Sequence, residues 1–131
     1  MKTLILSLSL LATPALAQDA INLDPHINES LIAGRVGDTI RNTCPSISAR
    51  MLVALSKLRE LERYARDKGY TDADYEAFMD NKAEKNRLKA AAADYLKQAG
   101  AVEGDPESYC KVGQDEIAKG SLIGSLLRSS K

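Results

Sequence analysis

SISARMLVALSKLRELERYARDKG, residues 46–69, is the stretch that decides the fold. Ile47, Met51, Ala54, Leu58, Leu61 and Ala65 recur in it at alternating spacings of four and three. That spacing is the period of one helix face, and Leu52 and Leu55 widen the stripe. Glu62 and Arg66 stand four apart on the polar side, a favourable helical ion pair. Ser46 is a natural N-cap for this helix, and Gly69 a natural residue just past its end. The stripe has to be covered by other elements. It is expected to be the most buried surface of the molecule, with Met51, Leu55, Leu58 and Leu61 in the core.

Working outward, three more helices are expected. Asp24-Pro25 combines an N-cap residue with proline at the first helical position. The helix it opens carries Ile32, Val36, Ile40 and Thr43 on one face and stops at Cys44-Pro45, because the residue before proline disfavours helical geometry. Gly34 and Gly37 weaken this helix intrinsically and leave room for a neighbouring helix to come close. Thr71 and Asp74 form a capping-box-like start for a third helix, expected to reach about Gln98, with Tyr75, Phe78, Leu88, Ala92, Tyr95 and Ala99 on one face. Its centre is highly charged, so it is expected to kink, bulge or break near Asn81. Asp105-Pro106 repeats the Asp-Pro start for a fourth helix bearing Tyr109, Cys110, Gly113 and Ile117, interrupted at Gly120. Ser121 caps a last turn or two. β-branched and aromatic residues are sparse and never alternate with period two, so no strand is expected. The fold class that follows is all-α: a small up-down four-helix bundle-like domain.

The first residues read differently. Lys2 supplies a positive start, Leu4 to Leu11 an apolar core, and Ala15-Leu16-Ala17 a small-x-small cleavage pattern after Pro14. This is the pattern of a cleaved signal peptide over residues 1–17, which leaves 18–131 as a single helical domain in the periplasm or outside the cell. An apolar run of about 14 residues is short for a membrane span, and charges interrupt every later one, so no integral membrane segment is expected after cleavage. The chain holds two cysteines, which allow one intramolecular pairing, Cys44 with Cys110. Up-down topology places the end of helix one and the start of helix four at the same end of the bundle, where the two thiols can meet. Closing a loop of that length is worth roughly 4 kcal/mol in the chain-entropy account.

Little in the sequence carries chemistry. Eighteen basic residues balance eighteen acidic ones, which gives no attraction for nucleic acid. His26 is the single histidine, without the partners that catalysis or a zinc site needs. Asp72, Asp74, Glu76 and Asp80 lack calcium-loop spacing, and Asp72 to Glu76 read as first-turn acids that suit the positive end of a helix. Lys82, Lys85, Arg87 and Lys89 read as a solvated face. The tyrosines are expected to edge the core with their hydroxyls in water. No nucleophile elbow, P-loop or dinucleotide-binding glycine pattern is present. No catalytic residue, metal ligand or cofactor is therefore expected, and the protein is read as not an enzyme.

The C-terminal segment is the least bland. Leu122, Ile123, Leu126 and Leu127 make a short apolar stripe that either folds back over the bundle or stays exposed and docks on a partner protein. The block Tyr109-Cys110-x-x-Gly113-x-x-Glu116-Ile117-x-x-Gly120-Ser121-x-x-Gly124-x-Leu126-Leu127-Arg128, with Cys44-Pro45 and the leader, resembles an uncharacterised family of small secreted alphaproteobacterial helical proteins. The resemblance implies no catalytic residue; it also implies genes near those of a respiratory NADH:quinone oxidoreductase, which gives an accessory protein linked to a respiratory complex as one alternative. In class, the chain is also similar to small periplasmic acid-stress chaperones. The leading expectation is a non-enzymatic periplasmic module that binds another protein. A holdase-type stress chaperone and a respiratory accessory protein are the alternatives.

Overall fold

The structure, a computed structural model, describes residues 20–130. The expected signal peptide and its cleavage site lie outside the described residues. After a single 3-10 turn at Ile21–Leu23, the element order is α1 (Pro25–Thr43), β1 (Ile47–Ala49), α2 (Met51–Asp67), α3 (Asp72–Asp80), α4 (Lys82–Gln98), α5 (Pro106–Lys119), α6 (Leu122–Ser125) and β2 (Leu127–Ser129). The molecule is mostly helical, as the periodicities require, but it is not a four-helix bundle.

The starts of α1 and α3 follow their sequence signals. The Asp24 carboxylate accepts from the backbone N–H of Ile27 at 3.0 Å, and Pro25 needs no partner for a missing N–H. Thr71 and Asp74 close a reciprocal capping box, each side chain accepting from the other's backbone N–H. At the suspected weak point the chain breaks: Asn81 ends α3, and its side chain accepts from Glu84 N–H at 3.0 Å to start α4. An asparagine that can cap forward makes two short helices better satisfied than one long one.

Helix α1 runs through the middle. Its Ala33, Val36 and Ile40, with Cys44 just beyond its end, meet Ala92 and Leu96 of α4 and Val112 of α5 in one apolar cluster. A second cluster lies toward the start of α1, where Ile27 packs with Leu61 and Ala65 of α2, Tyr70, Phe78 of α3 and Leu88 of α4. Cys44 and Cys110 are disulfide-bonded with their Cα atoms 5.1 Å apart, joining the end of α1 to the second turn of α5 as the topology argument expected.

One group of departures involves the C-terminal segment. It folds back, and β2 pairs antiparallel with β1 in the register Ile47↔Ser129, Ser48↔Arg128, Ala49↔Leu127. The expectation of no strand is thereby corrected. Three residues per strand carry too little alternation to be read locally; tertiary pairing makes them extended. The pairing continues at both ends, with Arg50 N–H donating to Leu126 C=O at 2.8 Å and Ser130 N–H to Ser46 C=O at 2.9 Å. Ser46 therefore caps nothing, and α2 starts at Met51.

What holds the segment down is a close contact. Gly124 lies against the backbone carbonyl of Glu116, where a Cβ would overlap the oxygen. Gly113 similarly leaves its side-chain space to Ile47 and to Ile40. The same return buries Ile123, Leu126 and Leu127 and leaves Leu122 half exposed.

The expectation for α2 is the largest correction. It is not the most buried element: only Leu61 and Ala65 are buried. Met51 is 63% exposed, Leu52 85%, Leu55 46% and Leu58 47%. The apolar stripe exists, but the N-terminal half of it has no cover. On α4 the buried positions are Leu88, Ala92 and Leu96, so the face is rotated from the one that Tyr95 and Ala99 indicated.

Two sets of variants check this arrangement. Leu96→Ala should cost about 2–5 kcal/mol in chemical denaturation, whereas Leu52→Ala should stay within about 0.5 kcal/mol. A Leu52 loss as large as the Leu96 loss would mean that α2 turns its other face inward. Gly124→Ala should lower the melting temperature more than any alanine placed on the exposed face of α4, because the backbone of α5 has to move to admit the methyl group.

Candidate functional site

Between α1 and α2 lies an apolar groove of about 470 Å³. Its formation follows from how α2 is tethered. At its C-terminal end, Leu61 and Ala65 enter the core, and the Tyr64 hydroxyl donates to the Asp24 carboxylate at 3.1 Å. The His26 ring lies against the Tyr64 ring, centroids 4.4 Å apart, at one end of the groove. At the N-terminal end, Arg50 is held through its N–H on Leu126 and its guanidinium on the Ser125 carbonyl at 3.4 Å. Between these tethers α2 stands off from α1.

The α1 wall of the groove runs from His26 to Arg41 and sets three small residues, Ser30, Gly34 and Gly37, among larger ones such as Leu31 and Arg35. A Cβ at Gly37 would meet Leu126 and Leu127 at ordinary contact distances, so the neighbour that comes close there is the folded-back tail, not a helix. A Cβ at Gly34 would meet nothing within 4 Å. Glycine at mid-helix costs about 1 kcal/mol relative to alanine, and no contact within the described residues offsets that cost at Gly34. The α2 wall is Met51, Ala54, Leu58 and Leu61, and Leu122, Leu126 and Leu127 close the far end.

The charged lining is lopsided. Arg41 is paired with Asp38 at 2.7 Å and Lys57 with Glu60 at 3.1 Å. Arg35 and Lys85 also line the groove, and no carboxylate among the described residues pairs with either. On the outer edge of α2, Leu52, Arg59 and Arg63 fall in one line along the helix, and those two arginines are likewise unpaired while Arg66 is held by Glu62 and Asp72.

The other polar cluster is structural. Glu116 is 2% exposed and sits under the C-terminal return. Its carboxylate accepts from the Tyr95 hydroxyl at 2.5 Å, from the Ser121 hydroxyl, and from the Lys119 ammonium at 3.5 Å. Ser121 also caps α6 by accepting from Gly124 N–H. Burial pushes the carboxyl up, but the bonds from Ser121 and Tyr95 and the Lys119 charge outweigh it and hold Glu116 below its ordinary value. The Tyr95 hydroxyl is pushed up to about 12, first by its bond to Glu116, then by burial and the carboxylate charge. Tyr64 and Tyr95 thus spend their hydroxyls on carboxylates, not on water alone.

Of the sequence-predicted site residues, Cys44 and Cys110 are joined. Leu122, Ile123, Leu126 and Leu127 do not form an exposed tail; Ile123 is in the core and the three leucines contribute to the groove. Sequence reading missed the groove itself. Its signal was the overlap of two glycines in one helix with a second helix more apolar than its surroundings could cover. Among the described residues, no group of three or more His, Cys, Asp or Glu side chains could hold a metal ion. Nor, among the described residues, is any helix long and apolar enough to cross a membrane.

The chain belongs to a family of unknown function (DUF5333), which it matches over residues 19–128. No curated protein and no solved structure matches it.

The Glu116 cluster has a defined pH signature. A carboxyl held below its unfolded value contributes stability that is present above about pH 4.5 and fades as pH falls through the lower folded value. The raised Tyr95 hydroxyl contributes fully below pH 10 and loses its share as pH rises toward 12. Glu116→Gln should therefore be less stable than the native chain at neutral pH by about 1–3 kcal/mol, with the gap closing in acid. Parallel thermal melts across pH measure this; a gap that stays constant into acid would show that the carboxylate charge is not what pins the C-terminal return.

Proposed function

We propose that this protein is a non-catalytic binding module that receives an apolar segment of another protein in the groove between α1 and α2. The observation that carries the reading is the uncovered half of the α2 stripe: four large apolar side chains, Met51, Leu52, Leu55 and Leu58, stand 46–85% exposed along one helix. Contiguous exposed apolar surface on a small domain marks an interaction site. Groove and stripe together have the form of the helix-in-groove mode of recognition.

The place of action we propose is the periplasm or the exterior of an alphaproteobacterium. The leader pattern of residues 1–17 and the Cys44–Cys110 bond support this compartment, since disulfides persist where the medium is oxidising. The partner site moves from the C-terminal stripe alone to the groove that this stripe helps to wall. Among the partners this reading admits is a component of a respiratory complex.

In-cell photo-crosslinking tests it. A photoreactive residue at Leu58 or Leu55 should give one discrete adduct, and the same residue at Lys89 or Ala93, on the exposed face of α4, should give none. Adducts of equal yield from both faces would overturn a dedicated site. A continuum of many unrelated proteins at Leu58 would replace the module with the holdase alternative.

A further inference from the structure

We infer that the groove is a receptor for an acidic amphipathic helix: a partner segment with one leucine-rich face and carboxylates along its flanks. The inference rests on the docking function proposed above and names the chemistry of the occupant.

Length comes first. The lining follows α1 from His26 to Arg41, about 22 Å at the rise of an α-helix. That is about four helical turns, and the groove volume suits the apolar face of such a segment while its polar back stays in water. The α1 wall presents Ser30 and the open Gly34, so a ridge of side chains can approach its backbone closely there. Apolar contact continues past the groove onto Leu55 and Leu52, which a small molecule seated inside would leave bare.

Charge decides the rest. Within the groove the two carboxylates, Asp38 and Glu60, are already satisfied by Arg41 and Lys57. Arg35 and Lys85 remain, and beyond the stripe Arg59 and Arg63 remain with them. An apolar strip bounded by unpaired cations on both sides is complementary to an apolar strip bounded by carboxylates. A second copy of this chain does not fit, because a two-fold contact would set these cations against each other. A flat anionic bilayer meets the charge but does not fill a concave groove.

The probes are two synthetic helical peptides of about 15 residues with the same leucine face, one flanked by glutamates and the other by lysines. Binding to the disulfide-bonded chain is read by fluorescence anisotropy. The glutamate peptide should bind at least tenfold more tightly than the lysine peptide, and its advantage should shrink at high salt. The double reversal Arg35→Glu with Lys85→Glu, on side chains that carry no ion pair among the described residues, should invert the preference. Gly34→Phe places a ring in open space and should abolish binding of both peptides without lowering the melting temperature. Equal binding of both peptides, unmoved by charge reversal but lost in Gly34→Phe, would overturn the acidic partner and leave the groove as a docking site. Binding of neither peptide overturns the inference. If phosphatidylglycerol vesicles bind where neither peptide does, the surface is a membrane contact and the docking function falls as well.

Discussion

The contact between Gly124 and the carbonyl of Glu116 is the constraint from which the shape of this protein follows. With no Cβ in the way, α6 lies directly on the end of α5. The Glu116 side chain then reaches the Ser121 hydroxyl from below and the Tyr95 hydroxyl from α4. One buried carboxylate thus ties three helices, and each of its bonds is made to a charged group shielded from water, where such bonds are strong. Once the chain has turned at Gly120 and been pinned here, residues 127–129 have nowhere to run but alongside residues 47–49.

That pairing sets the start of α2. A helix begun at Ser46 would keep Ile47 on the same stripe as Met51 and Leu58. Pairing with β2 draws residues 47–49 out of the helix instead, and Ile47 enters the core against Ile40 and the bare Cα of Gly113. Met51 then opens α2 on a different heading. Arg50, bonded to both Leu126 and Ser125, fixes one end, while Leu61 and Ala65 fix the other. The groove is the space left between two anchor points whose separation the core determines.

This history explains what was legible in the sequence and what was not. Signals that act within a few residues read correctly: the Asp24 cap, the Thr71–Asp74 box, the turn at Gly120 and the weak point at Asn81. The disulfide was legible because two cysteines leave a single pairing. The periodicity of α2 was legible as well, yet the inference from amphipathic to buried failed. Periodicity states that a helix has an apolar face; it does not state which neighbour covers it. Here the α1 side of the groove mixes Leu31, Arg35 and Arg41 with Ser30, Gly34 and Gly37, and the N-terminal half of the α2 stripe stays exposed. The strands were illegible for the opposite reason, since their conformation is imposed by a partner about eighty positions away in the chain.

Small residues opposite large ones would ordinarily let two helices close together. In this fold α1 and α2 stay apart because α2 is tied at both ends to the tail and the lower core, not to the middle of α1. Closing the gap would require α2 to bend or to surrender the Arg50 or Tyr64 tethers. Leaving it open costs the hydrophobic stabilisation of the half-stripe, about 25 cal/mol for each Å² of apolar surface left in water. The intrinsic penalty of Gly34 is added to that cost. Both terms fall on the same groove, and neither is relieved by any contact within the described chain. A second helix laid along α1 would relieve both at once: its side chains would cover Met51 and Leu58, and its approach would use the space that Gly34 leaves.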